Sequence, residues 1–168
     1  MDHLWTPWRM AYIRGEKIPV EGCVFCNLAA DIHNNTQVIA RSKFVYVTLN
    51  LYPYNNGHLM VVPYEHIQTQ EALETEALTD LMLTINRSIG ALRKVYNPAA
   101  FNLGANIGSA AGAGIAEHYH FHIVPRWNGD ANFMSVVGNT RVIPDTLVNT
   151  FRELKQAWQE LYGDEWYT

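Results

Sequence analysis

The alternation of hydrophobic and polar positions along the chain predicts a sheet of short strands. Runs rich in β-branched and aromatic residues, bounded by turn-forming residues, are typical of strands. We predict strands over residues 36–41, 44–50, 58–62, 101–107 and 117–124. Pro63 and Pro125 are expected to end the third and the fifth of these strands, because proline removes a ladder donor.

Two segments instead carry the three- and four-residue spacing of an amphipathic helix. The first covers residues 71–96, where the spacing is carried by Leu78, Leu81, Met82, Ile85, Ile89, Leu92 and Tyr96. The second covers residues 144–161, with Pro144 suited to a first helical turn. The order of elements predicts an α+β fold with a mainly antiparallel sheet. Residues 1–22 are interpreted as an irregular N-terminal arm and residues 23–168 as one domain.

Composition and charge narrow the function classes. A chain of 168 residues with 48 % hydrophobic and 17 % charged residues suits one globular domain. The net charge of −4 argues against a non-specific nucleic-acid binder, which needs a basic surface. The sequence contains neither an apolar run of membrane-spanning length nor the pattern of a signal peptide at its start. We therefore expect a cytoplasmic protein with no membrane partner.

The run from His118 to Val124 holds three histidines at alternate positions. On a strand, His118, His120 and His122 would share one face, each roughly 6–7 Å from the next, and the intervening apolar residues would face a helix. Imidazoles are poor core material, because their ring nitrogens need partners. The run therefore indicates either a metal chelate or a nucleophile with phosphate-positioning neighbours, rather than three surface histidines.

A loop of small residues, 108–114, stands directly before the histidines. Glycines in such a loop allow backbone N–H groups to approach an anion closely. By itself the loop is equally typical of a plain strand connection. Its position before a histidine run favours phosphate binding, since an imidazole attacks phosphorus well.

The two cysteines, Cys23 and Cys26, form a Cys-x-x-Cys pair. In a reducing compartment such a pair indicates a metal or redox site before a structural disulfide. A tetrahedral zinc site would need two more ligands, for which His66 and His118 are candidates. The alternatives are two free thiols and a thioredoxin-like pair, of which the second is disfavoured because no βαβ pattern surrounds the cysteines.

These residues resemble the histidine-triad (HIT) superfamily, whose signature alternates histidine with apolar residues as His118 to Val124 does. The segment from Asn50 through His58 to Pro63 is similar to the upstream part of that family, and the likeness extends over residues 20–145. The segments 4–13 and 124–133 resemble the branch of bacterial diadenosine tetraphosphate phosphorylases.

The resemblance implies a HIT-like fold, with a sheet of about five antiparallel strands, one long central helix and a C-terminal helix. It implies that His120 is the nucleophile, that His58 supports it, and that Cys23, Cys26, His66 and His118 hold a structural zinc ion. The implied nucleotide and phosphate contacts are Asn50, Asn106, Gly112, Ala113, Gly114, Ile115 and His122. The chain departs from the wider family in its Arg126-Trp127 pair and in the small residues after Gly112. These small residues leave backbone amides as the main hydrogen-bond donors to a bound anion.

The implied activity is cleavage of dinucleoside polyphosphates through a covalent nucleotidyl-histidine. The resemblance also implies a homodimer. The acceptor that resolves the intermediate, phosphate or water, stays open, as does a divalent cation accompanying the substrate. The alternatives are a hydrolase of adenosine phosphoramidates or nucleotidyl adducts, a nucleotide sensor without significant turnover, and a metalloenzyme that uses all three histidines as ligands.

Overall fold

The computed structural model describes residues 21–31, 37–130 and 145–163. Three helices lie in these ranges: α1 (Val24–Ala30), α2 (Thr75–Tyr96) and α3 (Leu147–Tyr162). Five strands accompany them: β1 (Val38–Arg41), β2 (Val45–Leu49), β3 (Leu59–Pro63), β4 (Ala100–Gly104) and β5 (Phe121–Arg126). Short 3₁₀ turns occupy Gln70–Ala72 and Ser109–Ala111. The predicted arm, residues 1–22, falls almost entirely outside the described ranges, and so does Pro144.

The five strands form one antiparallel sheet in the order β1-β2-β3-β5-β4. The pairing of β3 with β5 sets Met60 opposite His122, and the pairing of β4 with β5 sets Gly104 opposite the same histidine. The α+β fold with a mainly antiparallel sheet, a long helix and a C-terminal helix is therefore confirmed. In the described ranges, no helix combines the length and apolar character needed to cross a membrane.

The main core lies between one face of the sheet and the helices α2 and α3. Leu59, Val61 and Ile123 from the central strands meet Leu81 and Leu92 of α2 there, all at most 2 % exposed. Tyr119 and Phe121 pack into the same core. Every second side chain of this segment thus faces the helices, as the alternation predicts. The histidines between them are left for the opposite face.

Helix α1 covers part of that opposite face, and the sequence pattern did not predict it. Phe25, its one buried residue, packs with Tyr46, Met60 and Val62 of the sheet. Arg41 binds the C-terminal end of the helix, donating to the carbonyls of Leu28, Ala29 and Asp31 at 2.9–3.2 Å. A helix of seven residues with one buried side chain has no apolar repeat to detect, which explains the omission.

The predicted start of the fifth strand was wrong. His118 and His120 precede β5, because the amide of Tyr119 binds the carbonyl of Ile67 at 2.6 Å instead of a neighbouring strand. The strand begins only at Phe121. The partner strand β4 correspondingly runs from Ala100 to Gly104 and stops before Ile107, at the level of His122.

Pro63 ends its strand as predicted, whereas the prediction that Pro125 ends the fifth strand was wrong. Pro63 is the last residue of β3, and Pro125 lies inside β5, which continues to Arg126. The carbonyl of Pro125 accepts a hydrogen bond from the Asn55 side chain at 3.0 Å. In an antiparallel strand the N–H and C=O of one residue point to the same side. The missing N–H of Pro125 therefore faces a loop, where no ladder bond is lost.

The remaining boundaries shift by one to four residues. Strand β1 is described from Val38, β2 from Val45 to Leu49, and β3 from Leu59. The long helix begins at Thr75 rather than residue 71, because buried Leu73 has an extended backbone that separates the 3₁₀ turn from α2. Helix α3 begins after Thr146, whose side chain accepts from the amide of Asn149 at 3.2 Å and caps the helix. It ends at Tyr162, one residue later than predicted.

Candidate active site and metal centre

Four predicted metal ligands meet at one end of the histidine segment. One ligand atom each from Cys23, Cys26, His66 and His118 lies within 4.8 Å of all the others. The Sγ atoms of Cys23 and Cys26 are 3.3 and 3.6 Å from Nδ1 of His118, and Cys26 Sγ is 3.4 Å from Nδ1 of His66. Tetrahedral zinc bonds imply sulfur–nitrogen separations of roughly 3.5 Å. The cluster could therefore hold a metal ion.

The protonation of the His118 ring suits this role. Its Nε2 lies 3.0 Å from the carbonyl oxygen of Pro63. A carbonyl only accepts, so Nε2 carries the proton and Nδ1 presents its lone pair to the two thiols. Burial lowers the pKa of His118, which keeps the ring neutral and able to ligate a metal. Pro63, the last residue of β3, thus orients the ring of this candidate metal ligand through its backbone carbonyl.

His120 has the opposite assignment of ring nitrogens. Its Nδ1 lies 2.8 Å from the carbonyl oxygen of His118 and donates to it. The proton is thereby fixed on Nδ1, and Nε2 keeps a free lone pair. Burial lowers the pKa of His120, so the ring is neutral near pH 7. A neutral imidazole with an available Nε2 is the form that attacks phosphorus.

His58 and His122 form a hydrogen-bonded pair beside the nucleophile candidate. The backbone amide of Tyr54 donates to Nδ1 of His58 at 3.1 Å, and the side-chain amide of Asn50 lies 3.3 Å from the same atom. His58 therefore carries its proton on Nε2, from which it donates to Nδ1 of His122 at 2.9 Å. His122 in turn keeps a proton on Nε2, where it can donate to a phosphate oxygen.

Both histidines of this pair stay neutral from pH 7 down to a much lower pH. Burial, with the neighbouring charges of His122, Arg126 and His120, lowers the pKa of His58 to about 3. Burial and the charge of His120 lower the pKa of His122 to about 4. His122 is therefore a neutral hydrogen-bond donor rather than a cation at physiological pH. A neutral imidazole carries a proton on only one of its two nitrogens. The hydrogen bonds of His58 and His122 can therefore run only in the directions given above.

The small-residue loop supplies backbone donors on the approach to the histidines. Gly108 and Gly112 have φ angles of +82° and +87°, a region that favours glycine. The amides of Ala111 and Gly112 close a 3₁₀ turn on Gly108 and Ser109. The amide of Ala113 also donates to the carbonyl of Gly108, at 3.4 Å, and is not available to an anion. Among the described residues, the three amides that follow, those of Gly114, Ile115 and Ala116, donate to no carbonyl. Three consecutive amides of this kind can bind an anion.

Comparison with known proteins agrees with this geometry. The family model described as the HIT domain matches residues 32–129. The chain belongs to the HIT domain family. It is 41 % identical to the AP-4-A phosphorylase of Mycobacterium tuberculosis in an alignment of 165 positions that covers 94 % of this chain and 85 % of that protein. It is 33 % identical to the asymmetrical bis(5'-nucleosyl)-tetraphosphatase of Schizosaccharomyces pombe, over 56 % of this chain and 52 % of that one.

A solved structure extends the likeness to the fold of the HIT domain. The Zn-bound histidine triad family protein from Mycobacterium smegmatis superposes with a TM-score of 0.68 at 27 % identity. The match covers 86 % of this chain and 98 % of that one. The predicted resemblance to the HIT superfamily, which was based on the histidine run, is thus confirmed. The predicted HIT-like fold class is confirmed as well.

The predicted contact residues of this HIT domain lie in two settings. Asn50 stands at the end of β2, where its side-chain oxygen accepts from the amide of Tyr52 at 2.9 Å and its amide group lies near His58. Asn106 lies half-buried between β4 and the loop of small residues, and the structure gives its side chain no hydrogen bond within the described residues. Roles for Asn50 and Asn106, like those of the loop residues, stay predictions.

Two aromatic residues of the HIT site were missed by the sequence reasoning. Phe25 stands between the two cysteines and is 3 % exposed, and its ring centroid lies 4.8 Å from that of His120 and 5.4 Å from that of His118. Tyr54 lies over the other pair, 4.8 Å from His58 and 5.9 Å from His122. The position of Phe25 inside the Cys-x-x-Cys pair was a usable signal, whereas Tyr54 belongs to a turn without one.

Proposed function

We propose that the protein is a nucleotidyl-transfer enzyme that cleaves dinucleoside polyphosphates through a covalent nucleotidyl-His120 intermediate. The observation that carries the proposal is the 2.8 Å hydrogen bond from Nδ1 of His120 to the carbonyl of His118. It leaves Nε2 of a neutral imidazole free to act as the nucleophile. The names of the M. tuberculosis and S. pombe relatives support the substrate class.

In the first step, Nε2 of His120 attacks the α-phosphorus of the substrate. A P–N bond forms and the bridging P–O bond breaks, so that the other nucleotide leaves with the bond electrons. The Nε2–H group of His122 donates to a non-bridging phosphate oxygen, as do the amides of Gly114 and Ile115. The growing positive charge on the His120 ring is stabilised by its hydrogen bond to the His118 carbonyl.

In the second step, an acceptor oxygen attacks the same phosphorus and the P–N bond breaks, which returns the lone pair to His120. Phosphate as the acceptor gives a nucleoside diphosphate, and water gives a nucleoside monophosphate. The phosphorylase relative favours phosphate, because it matches 94 % of this chain at 41 % identity. The tetraphosphatase relative favours water as the second candidate, at 33 % identity over 56 % of the chain.

The metal ion is proposed to be a structural zinc held by Cys23, Cys26, His66 and His118. Four protein ligands leave no open position for substrate, so zinc would supply rigidity rather than Lewis-acid chemistry. The ligand set fixes the ring of His118, whose own carbonyl then holds the proton of His120. The Zn-bound relative from M. smegmatis supports this choice of metal. Two reduced thiols also suit the expected cytoplasmic location.

A homodimer is proposed as the assembled form. Strand β4 lies at an edge of the sheet, where its outer backbone groups are available for a partner. Leu103 of this strand is 48 % exposed, and Met82 and Leu83 of α2 are 53 % and 50 % exposed. Light scattering on the purified protein tests the assembly, and a monomeric mass at all concentrations would contradict it.

Product analysis tests the proposed activity. Diadenosine tetraphosphate labelled at an α-phosphate is incubated with the protein in phosphate buffer and in phosphate-free buffer, each with and without Mg²⁺. We expect ADP and ATP in phosphate, and a labelled protein after rapid quenching without it. AMP in both buffers would establish water as the acceptor. Turnover without any label on His120 would contradict the covalent intermediate, and binding without turnover would support the sensor alternative.

A further inference from the structure

Arg126 lies on the same strand and the same face as His122. Along β5, Phe121 and Ile123 face the helix-side core, so His122, Val124 and Arg126 face the opposite side. The intervening Val124 is buried, whereas Arg126 is only partly buried. The strand that carries a predicted phosphate contact therefore ends in a guanidinium group on the histidine face.

The hydrogen bond of Arg126 directs its side chain toward the histidines. Its Nε donates to Oδ1 of Asn102 at 2.6 Å. In the sheet register, Arg126 is opposite Ala100, and Asn102 is opposite Val124. The side chain thus leans along the strand in the direction of His122. Its positive charge is one of the contributions, after burial and His122, that lower the pKa of His58 to about 3.

The other positive side chains in the described ranges have partners elsewhere. They bind helix carbonyls, acidic side chains, an asparagine, a strand carbonyl or aromatic rings: Arg41, Lys43, Arg87, Arg93, Lys94, Arg152 and Lys155. Within the ranges that the structure describes, Arg126 bonds through Nε alone, to Asn102, so both Nη groups are available to a ligand. A guanidinium with two such groups matches a phosphate geometrically.

The charge of the proposed substrate requires such a group. His58 and His122 share one hydrogen bond between neutral rings, so His122 would meet the phosphates as an uncharged donor. We propose that Arg126, oriented by Asn102, binds the polyphosphate chain beyond the α-phosphate and makes the site selective for nucleoside polyphosphates over monophosphates. The inference rests on the proposed polyphosphate substrate, and it assigns Arg126 a role in specificity and none in the attack on phosphorus.

Equilibrium binding tests this role without turnover of a dinucleotide. Calorimetry gives the Kd values of AMP, ADP and ATP for the full chain as purified, without added Mg²⁺. We expect the wild type to bind ATP more tightly than AMP. Arg126→Gln should weaken ATP binding by ~10-fold, the size of a lost charge-assisted contact, and leave AMP binding nearly unchanged. Added salt should reduce the preference for ATP in the wild type more than in the variant.

Two further variants separate specificity from structure. Arg93→Gln removes a guanidinium that lies 5.2 Å from the ring of Phe101, and it should leave all three Kd values unchanged. Asn102→Ala keeps the charge of Arg126 but removes its anchor, so it should weaken ATP binding less than Arg126→Gln does. Equal weakening of AMP and ATP in Arg126→Gln, or no change in either, would overturn the proposal. Absence of diadenosine tetraphosphate cleavage would instead count against the proposed function alone.

Discussion

His118 and His122 stand two positions to either side of His120, yet their rings are held in opposite ways. His118 donates from Nε2 to a backbone carbonyl and turns Nδ1 toward two thiols. His122 accepts at Nδ1 from His58 and keeps its proton on Nε2. The same residue type therefore serves as a metal-ligand candidate at one end and as a proton donor at the other. The chemistry of each ring is therefore set by its hydrogen-bond partners and not by its position in the alternating run of histidines.

The largest effect that can test this contrast lies at His120, between the two ends. His120→Ala removes the proposed nucleophile and leaves the four proposed metal ligands in place. We expect turnover to fall by at least ~10⁴-fold, as it does when an enzyme loses its nucleophile. Metal content and the midpoint of thermal unfolding should stay at wild-type values. A variant that retains full turnover would refute the assignment of the nucleophile.

The second effect tests the His118 end of the segment, with its proposed metal ligands, separately from the His122 end. Cys26→Ser removes one thiol of the cluster, and metal content by atomic absorption should fall sharply. The free energy of unfolding should drop by roughly 4 kcal/mol or more, because loss of a structural metal belongs to the largest class of destabilisations. Asn27→Ala, an exposed neighbour on α1, is the matched control and should retain its metal. An unchanged metal content in Cys26→Ser would rule out the proposed ligand set.

The third effect concerns Phe25, which contacts both His118 and His120. Phe25→Leu keeps an apolar side chain between the cysteines but removes the ring that packs on the nucleophile. We expect kcat to fall ~10-fold through misplacement of His120, with metal content retained. The ¹⁵N shifts of His120 should then report a mixture of the two ring tautomers. Wild-type kcat together with unchanged shifts would show that the ring has no positioning role.

The smallest effect is a pH dependence of the folding stability, and it arises from His58, which pairs with His122. The pKa of His58 is about 3 in the folded chain, against about 6.5 when unfolded, so the unfolded chain binds a proton first as the pH falls. Stability from this residue is complete above pH 6.5 and is lost progressively down to about pH 3. Between pH 7 and pH 5 the loss is about 2 kcal/mol.

Chemical denaturation of the wild type and of His58→Gln at both pH values isolates this loss. The four proposed metal ligands are the same in both proteins, so any acid release of a bound metal would cancel in the comparison. The wild type should lose about 2 kcal/mol more than the variant. Equal losses would show that His58 is not held in its neutral form by the fold.

The sequence predicted the sheet, the two long helices and the four residues that meet as a metal-ligand cluster. The sheet and the helices were predicted correctly because strand alternation and helical spacing are local signals. The four-residue cluster, whose members lie far apart in sequence, was predicted through the resemblance to the HIT family. Helix α1 was missed because it buries only Phe25. The start of β5 was wrong because Tyr119 binds Ile67, a partner from a distant loop. The carbonyls of Pro63 and His118 decide which ring nitrogen of His118 and His120 carries the proton. No residue pattern specifies such contacts.

The cluster of candidate metal ligands joins parts of the chain that lie far apart in sequence. His118 is 95 residues from Cys23 and 92 from Cys26, while His66 is 40 from Cys26. Closing loops of this length costs conformational entropy before any ligand bond forms, and contacts between distant residues slow folding. We therefore expect metal uptake to be a late event, after the central strands have paired. A bound metal would then mark a chain in which helix α1 and the segment before strand β5 have both reached their native positions.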